Sequence, residues 1–273
     1  MKKIILLVLA FSLVASLLIG CTSDTAVNDK ALALGLDDGV LNIGVDDTYP
    51  PMEYRNEDNE LVGFDIDLAK ALGEELGVPV EFTSSSWEGI FTGLTAKQYD
   101  VIISSVSMTT ERMATMDYSN PYLANGQVIV VKTGNTSINS KADLAGKKVG
   151  VQIATTADTA TTKQLETMEF ELTQYNDIIS CFTALKIGAI DCIVVDMAVA
   201  IEYCSKAPED YTTTTTQLTN EPIAVALQKG DTTLQEAINA ALVTLSNNGT
   251  LTKISNEHLG SDYTQNIDTK LTE

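Results

Sequence analysis

A short internal repeat constrains the fold of this chain more than any other feature of its sequence. Residues 91–94 and 182–185 share the order Phe-Thr-small-Leu. Each is followed, at equal spacing, by a run typical of a strand, residues 99–103 in the first copy and 190–194 in the second. Around both runs the hydrophobic pattern reads β-α-β-α-β, which predicts a parallel sheet with helices on both faces. We therefore expect two similar α/β lobes.

Two more apolar segments indicate how the lobes connect. A strand is predicted at 127–131, between the two copies of the pattern, and another at 223–227, after them. Each is placed to cross between the lobes, which predicts two Rossmann-like lobes joined by a two-strand hinge. The predicted division of the chain is lobe 1 at 40–125 and 225–260, lobe 2 with the hinge strands at 126–224, and a loose C-terminal tail at 261–273.

The end of the first repeated strand predicts an anion-binding site. Ser104, Ser105, Ser107 and Thr109 follow that strand, and Thr109 stands where a helix N-cap belongs. Arg112 then falls in the first helical turn. Hydroxyls, free amides and a guanidinium at a strand end form a good seat for a carboxylate or a phosphate. The alternative is a capped helix whose arginine points into water, and these residues alone do not decide between the two.

The repeat also predicts what faces this turn from the other lobe. Aligning the two copies places Ser105 opposite Asp196, each just past the end of a corresponding strand. Ligands of open α/β sheets bind outside those strand ends. One lobe then offers hydroxyls and Arg112, and the other a carboxylate, so the ligand would carry both an anion and a cation. An α-amino acid zwitterion is the smallest common metabolite of that kind.

The N-terminus is typical of an exported protein. Two lysines precede an apolar run at 4–19, which is short for a membrane span and fits the core of a signal peptide. The sequence Leu-Ile-Gly before Cys21 resembles a bacterial lipobox, which implies cleavage before Cys21 and lipidation of its thiol. The alternative is an ordinary signal peptide followed by a chance cysteine. We expect residues 1–20 to be the signal peptide and residues 21–39 to be a flexible tether from the lipid anchor.

Composition argues against several classes of function. The net charge is −20, whereas partners such as nucleic acids and anionic lipid surfaces need basic patches. One histidine, His258, leaves almost no material for a zinc site or a histidine-based catalytic triad. We expect Cys181, Cys192 and Cys204 to be buried small hydrophobes, with a disulfide between two of them as the open alternative. No metal and no cofactor is predicted.

Six short stretches carry a family resemblance through their order and spacing. They are Gly-Phe-Asp-Ile-Asp-Leu at 63–68, Tyr-Asp-Val-Ile-Ile at 99–103, Thr-Thr-Glu-Arg at 109–112, Asp-Tyr-Ser-Asn-Pro-Tyr at 117–122, Val-Gly-Val at 149–151 and Asn-Gly-Thr at 248–250. With them the chain resembles the polar amino-acid substrate-binding proteins of bacterial ABC transporters. The resemblance implies a type II periplasmic-binding-protein-like fold, closure of two lobes on an L-amino acid, and delivery to a membrane permease.

The resemblance also assigns roles around the ligand's α-carboxylate. Arg112 would pair with this group, a bidentate task suited to a guanidinium, assisted by Ser105 and Ser107. Thr155 and Thr156, in a loop of the second lobe, would donate to the same carboxylate. This loop departs from the family pattern, because Ala154 stands where many relatives have glycine.

Other residues would hold the rest of the ligand. Asp196 would bind the α-ammonium group, while Asp46, Tyr49 and Trp87 line the side-chain part of the pocket, faced by Gln152. Because a carboxylate and two flat rings suit a cation, we expect arginine, lysine or histidine, with glutamine or another polar residue as the alternative. The complete predicted set of ligand-binding residues is Asp46, Tyr49, Trp87, Ser104, Ser105, Ser107, Arg112, Gln152, Thr155, Thr156 and Asp196.

Two other functions stay open at this stage. An enzyme on the same scaffold would act on a small carboxylate, but the sequence offers no acid and base beyond Asp46 and Asp196, and no nucleophile beside a histidine. A ligand-sensing module would share the export signal and the anchor. We expect a monomeric, lipid-anchored protein outside the cell membrane or on its periplasmic side, with an ABC permease as partner.

Overall fold

A computed structural model describes residues 29–214 and 217–272, so the predicted signal peptide and Cys21 lie outside the described residues. The strands are β1 (Leu41–Val45), β2 (Thr48–Tyr49), β3 (Glu53–Arg55), β4 (Leu61–Val62), β5 (Val80–Ser84), β6 (Val101–Ile102), β7 (Met116–Tyr118), β8 (Gln127–Lys132), β9 (Lys148–Gln152), β10 (Glu171–Tyr175), β11 (Cys192–Asp196), β12 (Tyr211–Thr213) and β13 (Ala226–Gln228). After a helical stretch at 29–33, the helices are α1 (Phe64–Leu76), α2 (Trp87–Thr95), α3 (Thr110–Thr115), α4 (Thr156–Leu165), α5 (Ile178–Ile187), α6 (Met197–Lys206), α7 (Thr232–Asn247) and α8 (Thr250–Leu259). Within the described ranges, no helix is both long and apolar enough to cross a membrane.

Two five-stranded sheets with equivalent strand orders form the two lobes. The first has the order β5-β1-β6-β13-β7 and the second the order β10-β9-β11-β8-β12. The first three strands of each sheet are parallel, and the fourth runs antiparallel to both of its neighbours. The predicted pair of α/β lobes is confirmed, and the three strands of each β-α-β-α-β pattern are parallel as predicted, whereas the fourth strand, which lies outside the pattern, is antiparallel. The fourth strand of each sheet follows a crossing of the chain between lobes, so no helical crossover forces it to be parallel.

Two neighbouring chain segments form the hinge between the lobes. Residues 123–127 leave lobe 1 beside residues 218–223, which return to it in the opposite direction. The backbone N–H groups of Ile223, Glu221 and Leu218 donate to the carbonyl oxygens of Leu123, Asn125 and Gln127 at 2.9, 3.0 and 2.7 Å, respectively. The outgoing segment continues into β8 of lobe 2 and the returning one into β13 of lobe 1, so each hinge segment supplies the fourth strand of one sheet.

The two central strands bring polar residues to the edge where the lobes meet. Every residue of β11 is buried, as expected of a strand covered by helices on both faces, and the strand ends at Asp196. Both residues of β6 are buried as well, and the chain becomes polar at Ser104 shortly after it. The apolar runs therefore anchor the two strands, and their ends present side chains to the space between the lobes.

Helix α1 begins with a glycine at its N-cap. Gly63 holds that position, and Asp65, a residue type that often caps helices, lies instead inside the first turn, fully buried. Gly63 has φ +130°, and a Cβ atom there would collide with the carbonyl group of Met52. Glycine is required at the cap for both reasons, which leaves the Asp65 carboxylate free to act inside the lobe.

Both ends of the described chain are packed more closely than predicted. Ala31 and Leu36 are 0% and 1% exposed and join the main hydrophobic core, so the expected tether does not extend to residue 39. The segment expected to be a loose tail returns to the hinge, where Thr272 pairs with Asn220 and Tyr263 O accepts from Ala124 N at 2.9 Å. Apolar side chains at one end and backbone hydrogen bonds at the other account for the difference.

Candidate functional site

A cleft lies between the lobes at the ends of β6 and β11. It is lined by ten of the eleven predicted residues, namely Tyr49, Trp87, Ser104, Ser105, Ser107, Arg112, Gln152, Thr155, Thr156 and Asp196. The eleventh, Asp46, lies beside the cleft, where its Oδ2 accepts a hydrogen bond from Gln152 Nε2 at 2.9 Å. The structure therefore gathers the predicted set at one place.

Arg112 provides the positive side of this cleft. Thr109 Oγ1 accepts from Arg112 N at 3.1 Å, which confirms the predicted N-cap of α3. The guanidinium donates from Nη1 to Ser107 O at 3.2 Å, and its carbon lies 5.4 and 4.8 Å from the ring centroids of Trp87 and Phe91. Burial lowers the pKa of Arg112, but from so high a value that the group stays charged at neutral pH. The arginine thus faces the cleft and not open water.

Asp196 provides the negative side and is 8% exposed. Its Oδ2 accepts from Tyr49 OH at 2.6 Å, and its Oδ1 accepts from Asn125 Nδ2 at 2.6 Å and Gln127 Nε2 at 2.7 Å. Burial raises the pKa of Asp196, while these hydrogen bonds and the charge of Arg112 oppose the rise. A carboxylate can be kept in this buried place because donors surround it.

Sequence reasoning missed the two amides that support Asp196. Gln127 lies opposite Asp196 in the antiparallel pairing of β8 with β11, and Asn125 precedes β8 in the hinge. Glu221, on the returning hinge segment, is 2% exposed, and its Oε2 accepts from Gln127 Nε2 at 3.3 Å. Their position where the chain was predicted to cross between the lobes could have indicated these residues. Their contact with Asp196, however, depends on the register between strands that are distant in the sequence.

Thr155 and Thr156 stand at the N-terminus of α4 with their hydroxyls already hydrogen-bonded. Thr155 Oγ1 accepts from Asp158 N at 3.2 Å and donates to Gln152 O at 2.7 Å. Thr156 Oγ1 accepts from Gln127 Nε2 at 2.9 Å. To donate a proton to a ligand, the Thr155 hydroxyl would have to leave Gln152 O, and the Thr156 hydroxyl would have to leave the Glu221 carboxylate.

The loop just before these threonines touches the other lobe. Trp87 Nε1 donates to Ala154 O at 3.0 Å, and Ala154 N donates to Asp158 Oδ2 at 2.9 Å. Ala154 has φ +61°, in the left-handed region that glycine adopts most easily. Trp87 thus contacts lobe 2 through its indole N–H and Arg112 through its ring face.

Asp46 contacts lobe 2 through Gln152, as Tyr49 does through Asp196 and Trp87 does through Ala154. It is 4% exposed, and its Oδ1 also accepts from Thr48 Oγ1 at 2.6 Å. Burial raises the pKa of Asp46, and the hydrogen bonds from Thr48 and Gln152 oppose the rise. A ligand side chain that binds the Asp46 carboxylate would therefore compete with Thr48 and Gln152.

The whole two-lobed region matches one known family. Residues 41–261 match the bacterial extracellular solute-binding proteins, family 3. The chain belongs to this family. This family-3 protein is 31% identical over 259 residues to the L-cystine-binding protein TcyJ of Escherichia coli K12, covering 94% of this chain and 95% of that protein.

Two further relatives of this family-3 protein are named for arginine. It is 32% identical over 233 residues to the L-arginine-binding protein of Pseudomonas aeruginosa, covering 82% of this chain and 90% of that one. A solved structure, an ancestral arginine-binding protein bound to arginine, is 39% identical with a TM-score of 0.77, covering 81% of this chain and 98% of that one. These likenesses confirm the type II fold. All three relatives are named as binding proteins.

Proposed function

We propose that this protein binds a polar L-amino acid as its zwitterion between the two lobes. The observation that carries the proposal is that Arg112 and Asp196, of opposite charge, face one cleft from different lobes. The α-carboxylate would pair with the Arg112 guanidinium near Ser105 and Ser107, and the α-ammonium group would bind Asp196. Separate lobes holding the two ends would make ligand binding favour their approach.

For the ligand's side chain we propose a basic group, from arginine, lysine or histidine, with glutamine as the alternative. Asp46 lies beside the cleft and the rings of Tyr49 and Trp87 line it, so a cation would meet both a carboxylate and aromatic faces. The names of two relatives, for arginine, support this class, while TcyJ is named for cystine.

We further propose that the ligand is released unchanged to an ABC permease by a monomeric, exported, lipid-anchored protein. The family's extracellular solute-binding description and the lipobox-like sequence ending at Cys21 support this. When cells that produce the protein are extracted and partitioned between detergent and water, Cys21→Ser should move the protein from the detergent phase to the aqueous phase. An unchanged distribution would contradict the anchor and leave the binding proposal standing.

The binding proposal is tested by a thermal-shift screen against the standard L-amino acids. The protein lacking residues 1–21 should be unfolded, dialysed and refolded first, which removes any ligand carried through purification. A ligand at about 100 times its Kd stabilises a protein by about 2.7 kcal/mol, or a midpoint shift of several degrees. In the parent we expect the largest shift from a basic amino acid, and in Arg112→Ala little or no shift from the same ligand. A folded protein that shifts with no amino acid would contradict the proposal.

A further inference from the structure

Two fully buried acids lie directly behind the serines that line the cleft. Glu53 and Asp65 are each 0% exposed, and neither lines the cleft itself. Ser104 Oγ donates to Glu53 Oε1 at 2.6 Å, and Ser105 N donates to Asp65 Oδ2 at 2.6 Å. Each acid therefore touches one of two consecutive residues on the anion-binding side of the cleft.

Asp65 holds Ser105 in a conformation that serine rarely adopts. Ser105 has φ +48°, in the left-handed region, which costs roughly 1–2 kcal/mol in a residue with a Cβ atom. Asp65 Oδ2 accepts from both Ser105 N and, at 3.2 Å, Ser105 Oγ, while its Oδ1 accepts from Tyr122 OH at 2.7 Å. These three hydrogen bonds explain how the strained turn is maintained.

Glu53 acts through Ser104 on a second loop of the site. Ser104 Oγ donates to Glu53 Oε1 and accepts from Asp46 N at 2.9 Å. The direction of the Ser104 hydroxyl is thus set by Glu53, and that hydroxyl in turn fixes the backbone of Asp46. Both the Ser104–Ser105 turn and the Asp46 loop depend on the buried acids.

The protonation of this cluster follows from its lack of positive charge. The titratable groups that face Glu53 are Asp65 on α1, Asp46 after β1, Tyr49 on β2 and Tyr122 before the hinge. Burial raises the pKa of Glu53 well above its usual range, and the charge of Asp65 raises it further. Burial also raises the pKa of Asp65, but donors that include Tyr122 and Glu53 oppose that rise.

One oxygen identifies where the proton lies. Glu53 Oε2 is buried, and as a carboxylate oxygen it has no hydrogen-bond partner among the described residues. A charge left there would be costly, whereas a proton on Oε2 gives Asp65 a further donor and lets Oε1 keep accepting from Ser104. Two facing acids of this kind share their ionisation, so that one is neutral.

We propose that Glu53 is a protonated positioning residue whose carboxylic acid accepts from Ser104, donates to Asp65, and so fixes the anion-binding turn and the Asp46 loop for the ligand. Its importance for affinity rests on the proposed binding function. Its protonation does not, and can be tested in the protein alone.

Three variants test the role of the neutral acid. Glu53→Gln keeps an acceptor for Ser104 and a donor for Asp65 but cannot ionise, so amino-acid affinity should stay within about threefold of the parent. Glu53→Leu removes both hydrogen bonds and should weaken affinity roughly tenfold or more. Glu81→Gln, at an exposed glutamate of the same lobe, is the matched control and should change nothing. Loss of affinity in Glu53→Gln equal to that in Glu53→Leu would overturn the proposal.

The pH dependence of stability tests the proton itself, without any ligand. In the parent, the unfolded chain ionises Glu53 above about pH 4.3 while the folded protein keeps it neutral. Stability linked to this group is complete below that pH and is lost as pH rises towards the raised folded pKa. The thermal midpoint of Glu53→Gln should therefore gain on the parent as pH increases from about 5 to about 9.

The same series in Glu81→Gln should show no such gain. A constant difference between Glu53→Gln and the parent at every pH would mean that folded Glu53 ionises normally, and would overturn the proposal. If the gain appears but no amino acid binds, the proposed function fails and the buried acid stands. If an amino acid binds but the gain in thermal midpoint is missing, the proposed function stands and the protonated Glu53 is ruled out.

Discussion

Strands β6 and β11 hold the same position in their sheets, yet their ends present opposite chemistry to the cleft. After β6 the chain offers hydroxyls and Arg112, with the buried acids Glu53 and Asp65 behind them. β11 ends at the carboxylate of Asp196, with the hinge amides of Asn125 and Gln127 behind it. The comparison shows how one topology could bind both ends of a zwitterion. Acids support the side that carries Arg112, and amide donors support the side that carries Asp196.

The support also differs in where it comes from. Behind β6 the acids belong to the same lobe and hold a strained turn, so the side proposed to bind the α-carboxylate is supported from within one lobe. Behind β11 the amides belong to the hinge, so the side proposed to bind the α-ammonium group is tied to the segment that connects the lobes. We expect substitutions on the first side to change affinity alone and those on the second to change affinity and closure together.

The strongest test of this contrast removes the charge on the lobe 1 side. Arg112→Ala should weaken amino-acid binding by roughly 100-fold or more, because truncating one partner of a buried charge pair costs about 2–5 kcal/mol. Stability should change little, since Arg112 is only partly buried and no residue of α3 belongs to the hydrophobic core. Calorimetric titration with Arg112→Lys as control should give an intermediate affinity, because an ammonium cannot bind a carboxylate in the bidentate manner. Parent-like affinity in Arg112→Ala would place the carboxylate elsewhere.

Removing the charge on the lobe 2 side should have a similar but smaller direct effect. Asp196→Asn should weaken binding roughly tenfold or more, since the amide keeps the shape of the side chain but not its charge. Unlike Arg112→Ala, it should also lower stability, by about 1 kcal/mol, because the amide nitrogen that replaces Oδ2 faces the Tyr49 hydroxyl that donates there in the parent, and a neutral amide oxygen accepts more weakly from Asn125 and Gln127. Denaturant titration of both variants measures this difference. Equal stabilities would show that the hinge does not support Asp196.

The two sides should also differ in their response to acid. Burial raises the pKa of Asp196, so the carboxylate takes up a proton at a higher pH than an ordinary aspartate. Protonation removes the attraction for the α-ammonium group, and affinity should therefore fall as the pH is lowered from 7 through that raised pKa. Arg112 stays charged throughout this range. Fluorescence or calorimetric titration at several pH values measures this change. A constant affinity across the range would contradict the role of Asp196.

A smaller effect is expected from the contact that joins the lobes through Trp87. Trp87→Phe removes the hydrogen bond to Ala154 O but keeps an aromatic ring beside Arg112. The loss of one hydrogen bond at about 1 kcal/mol should weaken amino-acid binding roughly fivefold. Trp87→Leu, which also loses the ring face, should weaken it further. Equal affinities in the two variants would mean that the ring face contributes nothing.

The smallest effect concerns backbone strain on the lobe 2 side. Ala154→Gly should stabilise the protein by up to about 1 kcal/mol, because glycine adopts the left-handed conformation without a Cβ penalty. Lys97→Gly is the matched control, since Lys97 has φ +59° and does not line the cleft. Both variants should raise the thermal midpoint, and only Ala154→Gly should alter ligand affinity. A lower midpoint in Ala154→Gly would show that glycine's greater unfolded entropy dominates.

The sequence predicted the surface of the cleft better than the groups behind it. Ser105 and Asp196 were found because they follow equivalent strands in a visible repeat, a local pattern. Gln127 was missed because its contact with Asp196 depends on the register of two strands 69 residues apart in the chain. Glu53 gave no signal at all, since its role depends on a hydrogen bond to Ser104 across the lobe.

Local sequence patterns also predicted the order of strands and helices, and the features that they did not predict have a common cause. Alternating strand and helix patterns indicate which elements exist, but the antiparallel strands β8 and β13 are set by how the chain crosses between lobes. The N-cap at Gly63 was likewise decided by the nearby carbonyl of Met52, which no local pattern reveals. Long-range contacts, not local propensity, account for each difference.

The most direct test of the central claim compares one amino acid with two truncated analogues. The amino acid that gives the largest thermal shift should be titrated calorimetrically beside its decarboxylated amine and its Nα-acetyl derivative. If the ligand bridges Arg112 and Asp196, each analogue loses one charged contact and should bind roughly 100-fold or more weakly. If either analogue binds as tightly as the parent amino acid, the ligand is not held at both ends, and the bridging account is wrong.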